Sequence, residues 1–137
     1  MMNHIVYLVC GVPGSGKTWV CEQLRHKFNY VAHDDHLKDL VGAILRSSAS
    51  SSAPTITECP FAEREMRIKL TMHGFQVRPI FIVEDPDTVR SRYMAREGRE
   101  PHRGALTRAD SIGARAREWQ APYGTSTEML AYLLKEK

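Results

Sequence analysis

Hydrophobic and polar positions alternate with two different periods along the chain, and the changes of period predict its secondary structure. Continuous or alternating apolar runs predict four strands, over residues 5–10, 30–33, 55–58 and 77–83. Apolar residues at helical spacing predict six helices, over residues 19–28, 37–46, 61–73, 87–96, 106–119 and 126–136. Strands that alternate with helices favour an α/β fold, with a parallel sheet of about four to five strands and helices on both faces.

Several residues mark the ends of these elements. Gly74 follows the third helix, and Thr125 or Ser126 can cap the last helix. Pro79 lies within the fourth strand and suggests a position near an edge of the sheet. The serine-rich stretch SSASSSAP, residues 47–54, is typical of a flexible loop, although it could also lengthen the preceding helix.

A glycine-rich turn separates the first strand from the first helix. The stretch CGVPGSGKT spaces its glycines and its lysine as a phosphate-binding loop (P-loop, or Walker A motif) does. In such a loop the backbone amides hold the phosphates, Lys17 reaches the β- and γ-phosphate oxygens, and Thr18 ligates Mg²⁺. The residues predicted to bind the nucleotide are Gly11, Pro13, Gly14, Ser15, Gly16, Lys17 and Thr18.

Acidic residues follow the second and third predicted strands. Asp34 and Asp35 come after the second strand, and Glu58 ends the third. Because ligands bind at the carboxyl ends of parallel strands, we expect these carboxylates to lie beside the phosphate loop. Asp34, which is nearer to the strand, is the candidate general base, whereas Asp35 is the better helix cap. His33 and His36 flank them, and we interpret them as surface or acceptor-contacting residues more readily than as metal ligands.

Composition limits the classes of protein that need to be considered. The 137 residues are enough for one domain, which we expect to span residues 1–137, and the three cysteines have no paired spacing. No apolar run is long enough to cross a membrane and no leader pattern is evident, so we expect a cytoplasmic protein without a disulfide or zinc.

The net charge of +3 is concentrated in one segment. Residues 90–117 contain eight arginines and three acidic residues, a net charge of +5, and they contain no lysine. Such a segment can be a solvated helical face, but arginine without lysine favours bidentate contacts with phosphate. The phosphate can belong to a nucleotide or to a nucleic acid.

Three classes of P-loop protein can be compared with these features. A GTPase needs an N-K-x-D motif, which is absent, and an oligomeric or motor ATPase usually needs a longer core. A small kinase fits better, because it combines a P-loop, an acid after the second strand and an arginine-bearing lid. We expect that lid at about residues 87–105. Trp119 and Tyr123 could flank an adenine ring, although the pattern favours a core position for them, and Trp19 is expected to pack against the sheet or the C-terminal segment.

Three segments, GVPGSGKTWVCEQL, YVAHDDHLKD and VRPIFIVEDPDTVRSRYMAREGRE, together resemble the kinase domain of bacteriophage polynucleotide kinase and its small P-loop relatives. The resemblance covers about residues 5–100 and implies the P-loop NTPase fold, with ATP and Mg²⁺ as cofactors. It makes Asp34 the catalytic base and matches Arg92 and Arg96 to the arginines of the lid. It implies an acceptor side at Asp35, His36 and Lys38, and Glu58 in place of an aspartate near the metal. It also implies host cytoplasm as the location if the protein is phage-encoded.

The sequence departs from that family on the acceptor side. Leu37 occupies the position of an arginine that supports the acceptor, and no asparagine follows Glu58 in TECP. Our leading hypothesis is an ATP-dependent kinase that phosphorylates a hydroxyl of a nucleic acid, at a 5′ end or on a hydroxymethylated base in DNA. The alternatives are a kinase of a nucleoside, nucleotide or other metabolite, and a nucleotide-binding module with slow hydrolysis.

Overall fold

A five-stranded parallel sheet forms the centre of the protein. The computed structural model describes residues 4–12, 14–32, 37–59, 63–101 and 103–136. The strands are β1 (Ile5–Cys10), β2 (Asn29–Val31), β3 (Thr55–Cys59), β4 (Gln76–Ile82) and β5 (Tyr123–Gly124). They lie in the order β2-β3-β1-β4-β5, and every pair is parallel. The predicted α/β fold with a parallel sheet is confirmed.

Within the described residues, six helices connect or follow these strands. They are α1 (Lys17–Gln23), α2 (Leu37–Ala49), α3 (Glu63–Met72), α4 (Pro86–Glu97), α5 (Arg103–Glu118) and α6 (Ser126–Lys135). Side chains of α2, α3 and α5 share one core cluster, and side chains of α1 and α6 share a second. Helices therefore cover both faces of the sheet, as parallel crossover connections require.

The central strand β1 contributes to both core clusters. Val6, Leu8 and Cys10 belong to the first cluster, while Tyr7 and Val9 belong to the second. Successive side chains of a strand point to opposite faces, so a strand that is covered on both sides is a continuous apolar run. This is why β1 ends deep in the molecule, with the phosphate loop directly after it.

Some element boundaries differ from the predicted ones. Helix α2 continues to Ala49, so the first residues of the serine-rich stretch lengthen the helix. Helix α1 begins at Lys17 but ends at Gln23, and tighter turns follow, with Leu24 N bonded to Cys21 O at 3.1 Å. Helix α5 begins at Arg103, three residues before its predicted start at residue 106. Strand β5 was not predicted, because two residues are too few to display a period.

Pro79 lies on the open side of β4. The amides of Phe81 and Val83 donate to Pro122 and Gly124 on the β5 side of the strand. Since neighbouring residues of a strand alternate in direction, the nitrogen of Pro79 faces that same side, before the pairing of Phe81 with Tyr123 begins. Strand β4 lies next to the edge strand β5, so the predicted position near an edge is confirmed. The N–H that Pro79 lacks would lie beyond the end of the short β5 ladder, where no strand needs it.

Within the described ranges, no helix combines the length and the apolar character that a membrane crossing requires.

Candidate active site

The phosphate loop joins β1 to α1 and depends on glycine at two positions. Gly14 and Gly16 have φ values of +88° and +103°, in the left-handed region that side chains other than glycine rarely adopt. A Cβ atom on Gly14 would also lie 2.8 Å from the carbonyl oxygen of Val89. The loop therefore packs against the start of α4 so closely that only glycine fits there.

Lys17 is folded back into the loop. Its Nζ donates to the carbonyl oxygen of Gly11 at 2.7 Å, and the residue is only 7% exposed. Burial lowers the pKa of the Lys17 ammonium to about 8, although the negative charge of Glu58 opposes this shift. A buried cation with a single carbonyl partner is well suited to gain an anionic ligand.

The hydroxyl of Ser15 is buried in the same loop. Ser15 is 0% exposed, and its Oγ has no hydrogen-bond partner among the described residues. A buried hydroxyl without a partner costs free energy, which a ligand oxygen in the loop would recover. Together with Lys17, this group fits a bound phosphate.

Glu58, at the end of β3, contacts the first turn of α1. The Thr18 hydroxyl donates to its Oε1 at 2.7 Å, and the Tyr30 hydroxyl donates to its Oε2 at 2.6 Å. Burial and this bond to the Glu58 carboxylate raise the pKa of Tyr30. The oxygen donors of Thr18 and Glu58 are the kind of ligand that Mg²⁺ prefers, so the predicted pair fits that ion.

Arg92 and Arg96 lie one turn apart on α4 but make different contacts. The NH1 group of Arg92 donates to the carbonyl oxygen of Ser15 at 3.0 Å, so this side chain touches the phosphate loop. Arg96 lies 3.0 Å from Glu97 and stacks over the ring of Tyr93. The structure thus brings one of the two predicted arginines into contact with the loop and leaves the other on the helix surface.

Glu84 connects Arg92 to the start of α6. Its Oε1 accepts from the backbone N–H and the hydroxyl of Ser126, at 2.8 and 2.9 Å, and lies 3.5 Å from Arg92 NH1. Ser126 lies directly over the loop, since a Cβ on Gly16 would be 3.0 Å from its Cβ. The ends of β1 and β4, helix α4 and helix α6 therefore meet at one place.

A cavity of about 360 Å³ opens beside this junction, and it is lined by Gly16, Trp19, Arg92, Ser126 and Thr127. Trp19 is 44% exposed and lines this cavity together with Ser126 and Thr127, so of the two expected neighbours it lies beside the C-terminal segment and not against the sheet. Trp119 is partly buried and packs edge-on against Phe81 of the core, with ring centroids 5.5 Å apart, in agreement with the favoured position. Tyr123 is 47% exposed, so the core position favoured for it is wrong.

Part of the predicted site lies outside the described residues. Pro13, His33, Asp34, Asp35 and His36 belong to that part. Lys38 lies in the first turn of α2, and its side chain is likewise outside the described part. Their predicted roles in catalysis and acceptor binding stay predictions.

Sequence reasoning missed Glu84, Ser126 and Tyr30. Glu84 could have been found, because it follows a buried strand at the edge where ligands bind. Ser126 and Tyr30 gave no signal, since their partners Glu84 and Glu58 are 42 and 28 residues away in the chain. Among the residues that can be described, no group of three or more His, Cys, Asp or Glu side chains is arranged to hold a metal ion.

Comparison with known proteins rests on structure. No family model matches the sequence, and no curated protein is significantly similar to it. The tunicamycin resistance protein of Deinococcus radiodurans superposes with a TM-score of 0.68 at 16% identity, covering 99% of this chain and 98% of that chain. Shikimate kinase from Acinetobacter baumannii, in complex with shikimate, gives a TM-score of 0.56 at 14% identity, covering 98% and 92%.

A gluconokinase from Sinorhizobium meliloti 1021 gives a TM-score of 0.51 at 21% identity, covering 80% of this chain and 74% of that chain. The chain has the P-loop NTPase fold. A phosphate loop after the first strand, a parallel sheet and helices on both of its faces are features of this fold, and the chain has all three. The resemblance to bacteriophage polynucleotide kinase in particular stays a prediction.

Proposed function

We propose that the protein is an ATP-dependent kinase that transfers the γ-phosphoryl group to a hydroxyl of its acceptor. The observation that carries this proposal is the buried Lys17 ammonium, held in a glycine loop beside the unpartnered Ser15 hydroxyl. Both groups gain a partner when a phosphate lies in the loop. A P-loop in this fold, next to a cavity of nucleoside size, supports ATP as the phosphate donor.

Each residue of the site has a proposed task. Lys17 and the loop amides hold the β- and γ-phosphates, and Thr18, assisted by Glu58, holds the Mg²⁺ that neutralises phosphate charge when it is bound. Asp34 accepts the proton of the acceptor hydroxyl. Arg92 and Arg96 stabilise the charge that develops on the transferred group, and the α4 region closes over it as a lid. The cavity lined by Trp19 and Arg92 takes the nucleoside part of ATP.

A nucleic acid is our first candidate for the acceptor. The net charge of +5 over residues 90–117 supports it, because arginine binds backbone phosphates well. The acceptor group is then a 5′-hydroxyl end or a hydroxymethyl group on a DNA base. The predicted resemblance to phage polynucleotide kinase points in the same direction.

A small hydroxylated metabolite is the second candidate, and a specific feature favours it. Three arginines of the basic segment have carboxylate partners nearby: Arg90 with Glu100, Arg92 with Glu84 and Arg96 with Glu97. Glu97 and Glu100 are already counted in the net charge of +5 for residues 90–117, and Glu84 lowers it by one more. These three guanidinium groups are therefore engaged by carboxylates and less available to the phosphates of a polymer. Gluconokinase and shikimate kinase, which have the same fold, are named for small hydroxy acids.

The test is transfer of γ-labelled phosphate from ATP to a panel of acceptors. The panel contains 5′-hydroxyl DNA and RNA, hydroxymethylated DNA, nucleosides, nucleotides, gluconate and shikimate, with Lys17→Ala as the control. We expect label on one class of acceptor, and at least a hundredfold less with the variant, roughly the loss of one strong phosphate contact in the transition state.

Each outcome of the panel has a distinct meaning. Transfer to a polymer that weakens as salt rises supports the nucleic-acid acceptor, and transfer to a small molecule that is insensitive to salt supports the metabolite. Tight ATP binding without any transfer indicates a nucleotide-binding module instead. A Lys17→Ala protein that used ATP at the parental rate would contradict the assignment of the site.

A further inference from the structure

Glu84 is an acidic side chain that contacts two other residues beside the phosphate loop, Ser126 and Arg92. Only 8% of its side chain is exposed, and one oxygen accepts two bonds from Ser126, at 2.8 and 2.9 Å. Two such bonds fix the carboxylate in one orientation, because both donors come from the rigid first turn of α6. Glu84 is therefore a buried, immobilised negative charge at the end of β4.

Among the described residues, Arg92 is the only arginine that forms an ion pair with Glu84. The Arg92 NH1 group lies 3.5 Å from the Glu84 carboxylate and 3.0 Å from the carbonyl oxygen of Ser15, to which it donates. Arg92 itself is 44% exposed, so packing alone does not hold its long side chain in place. The immobile carboxylate keeps the mobile guanidinium against the phosphate loop.

We infer that Glu84 is a positioning residue, which holds Arg92 where its guanidinium meets the terminal phosphate of a bound nucleotide. This inference rests on the proposed function, because it assigns the ligand of the loop as a nucleoside triphosphate. A guanidinium that is already placed loses less conformational freedom when it binds phosphate. Glu84 thus contributes to the preference for ATP over ADP without touching the nucleotide.

Glutamine at position 84 separates positioning from structural support. In Glu84→Gln the amide oxygen still accepts both bonds from Ser126, so the start of α6 keeps its anchor. The charge that attracts Arg92 is lost. A purely structural role for Glu84 would leave the preference for ATP unchanged in this variant.

The experiment is a double-mutant cycle on nucleotide affinity, measured by titration calorimetry with Mg²⁺ and either ATP or ADP. The proteins are the parent, Glu84→Gln, Arg92→Met and the double variant. Glu65→Gln is the matched control, since it removes one carboxylate from the exposed pair with Lys69 on α3. The melting temperature of each protein is recorded to follow folding.

We expect Glu84→Gln to lower the affinity for ATP by about three- to tenfold, in the range of couplings between contacting side chains. The affinity for ADP changes less, so the ratio of the two affinities falls. Arg92→Met lowers the same ratio, and adding Glu84→Gln to it lowers the ratio no further. Glu65→Gln keeps the parental ratio.

Two results would overturn the inference: an unchanged ratio in Glu84→Gln, or equal and additive losses in the two backgrounds. If Glu84→Gln fails to unfold cooperatively, Glu84→Asp replaces it, because aspartate keeps the charge but withdraws it from Arg92. An unchanged ratio in Glu84→Asp is equally decisive.

Failure of the proposed function looks different. In that case the cycle shows coupling while no acceptor receives phosphate, whereas a parent that binds neither nucleotide overturns both statements.

Discussion

Two side chains of the phosphate loop are poorly satisfied in the free protein. The Ser15 hydroxyl is buried without a hydrogen-bond partner among the described residues, and the Lys17 ammonium is buried against one carbonyl. Neither arrangement is favourable for folding, since buried polar groups and charges are costly unless they are paired. Both become favourable once an anion occupies the loop, so stability has been exchanged for binding at this site.

Ser15→Ala is expected to change stability and nucleotide affinity in opposite directions. Removing an unsatisfied hydroxyl should raise the free energy of unfolding by about 1 kcal/mol, while ATP binding loses a hydrogen bond and weakens several-fold. Urea unfolding and ATP titration measure the two effects. Ser48→Ala is the matched control, because Ser48 Oγ already donates to Leu45 O at 3.1 Å. A Ser15→Ala protein that was less stable and bound ATP normally would refute this interpretation.

Lys17 is expected to take up a proton when ATP binds in alkaline solution. Its pKa in the free protein is lowered to about 8 by burial, so at pH 8.5 most molecules carry a neutral amine. Bound phosphate raises that pKa again, and roughly three-quarters of a proton should be taken up per ATP. Calorimetry in two buffers of different ionisation enthalpy measures this uptake.

The lowered pKa of Lys17 also makes the stability of the protein depend on pH. Between pH 8 and the usual lysine value of 10.5, the unfolded chain holds a proton that folded Lys17 has released. Stability from this group therefore rises with pH in that window, and its cost is fully present below pH 8. Lys17→Met should abolish both effects. Proton uptake that persisted in this variant would assign the titrating group elsewhere.

Helix α6 is anchored at both of its ends. At its start, its own residues Thr125 and Glu128 form a capping box, and Ser126 donates to Glu84. At its other end, Lys27 Nζ donates to the carbonyl oxygens of Leu133 and Leu134, at 2.9 and 2.7 Å. The last carbonyls of a helix lack their usual partners within it. Leu133 O also accepts from the N–H of Glu136 at 3.2 Å, so Lys27 reinforces that end and gives Leu134 O a donor.

Lys27→Met is expected to lower the free energy of unfolding by about 1 kcal/mol, because two charge-assisted bonds and the contact of the ammonium with the Phe28 ring are lost. The midpoint of urea unfolding measures the change. Lys69→Met, which breaks an exposed pair with Glu65, should cost about 0.5 kcal/mol or less. Equal losses in the two variants would mean that the carbonyl contacts at the end of α6 add no stability.

The elements that sequence predicted well are those whose signal is local. Strand β1 is a continuous apolar run and β4 ends in one, and Thr125 was one of the two residues predicted to cap the last helix. The end of α1 and the strand β5 were not predictable, because they depend on turn bonds and on pairing with Phe81. A two-residue strand exists only through its partner.

At the scale of the whole molecule, the order of strands and helices along the chain predicted where the site lies. It did not predict most of the side-chain contacts within the site. Parallel strands bring their carboxyl ends to one edge, so the approach of Glu58 to Thr18 followed from topology. The pairing of Glu84 with Ser126 did not, since nothing local relates residues that are 42 positions apart. The ion pairs of Arg90, Arg92 and Arg96 likewise appear only in three dimensions.

The same topology explains how the sheet ends. One outer strand, β2, has three residues, and the other, β5, has two. Beyond β5, the exposed side of β4 lacks a donor at Pro79, whose nitrogen faces outward there. An incoming strand from another copy would find neither a long ladder nor a full row of N–H groups to extend. The molecule therefore carries its own protection against edge-to-edge aggregation.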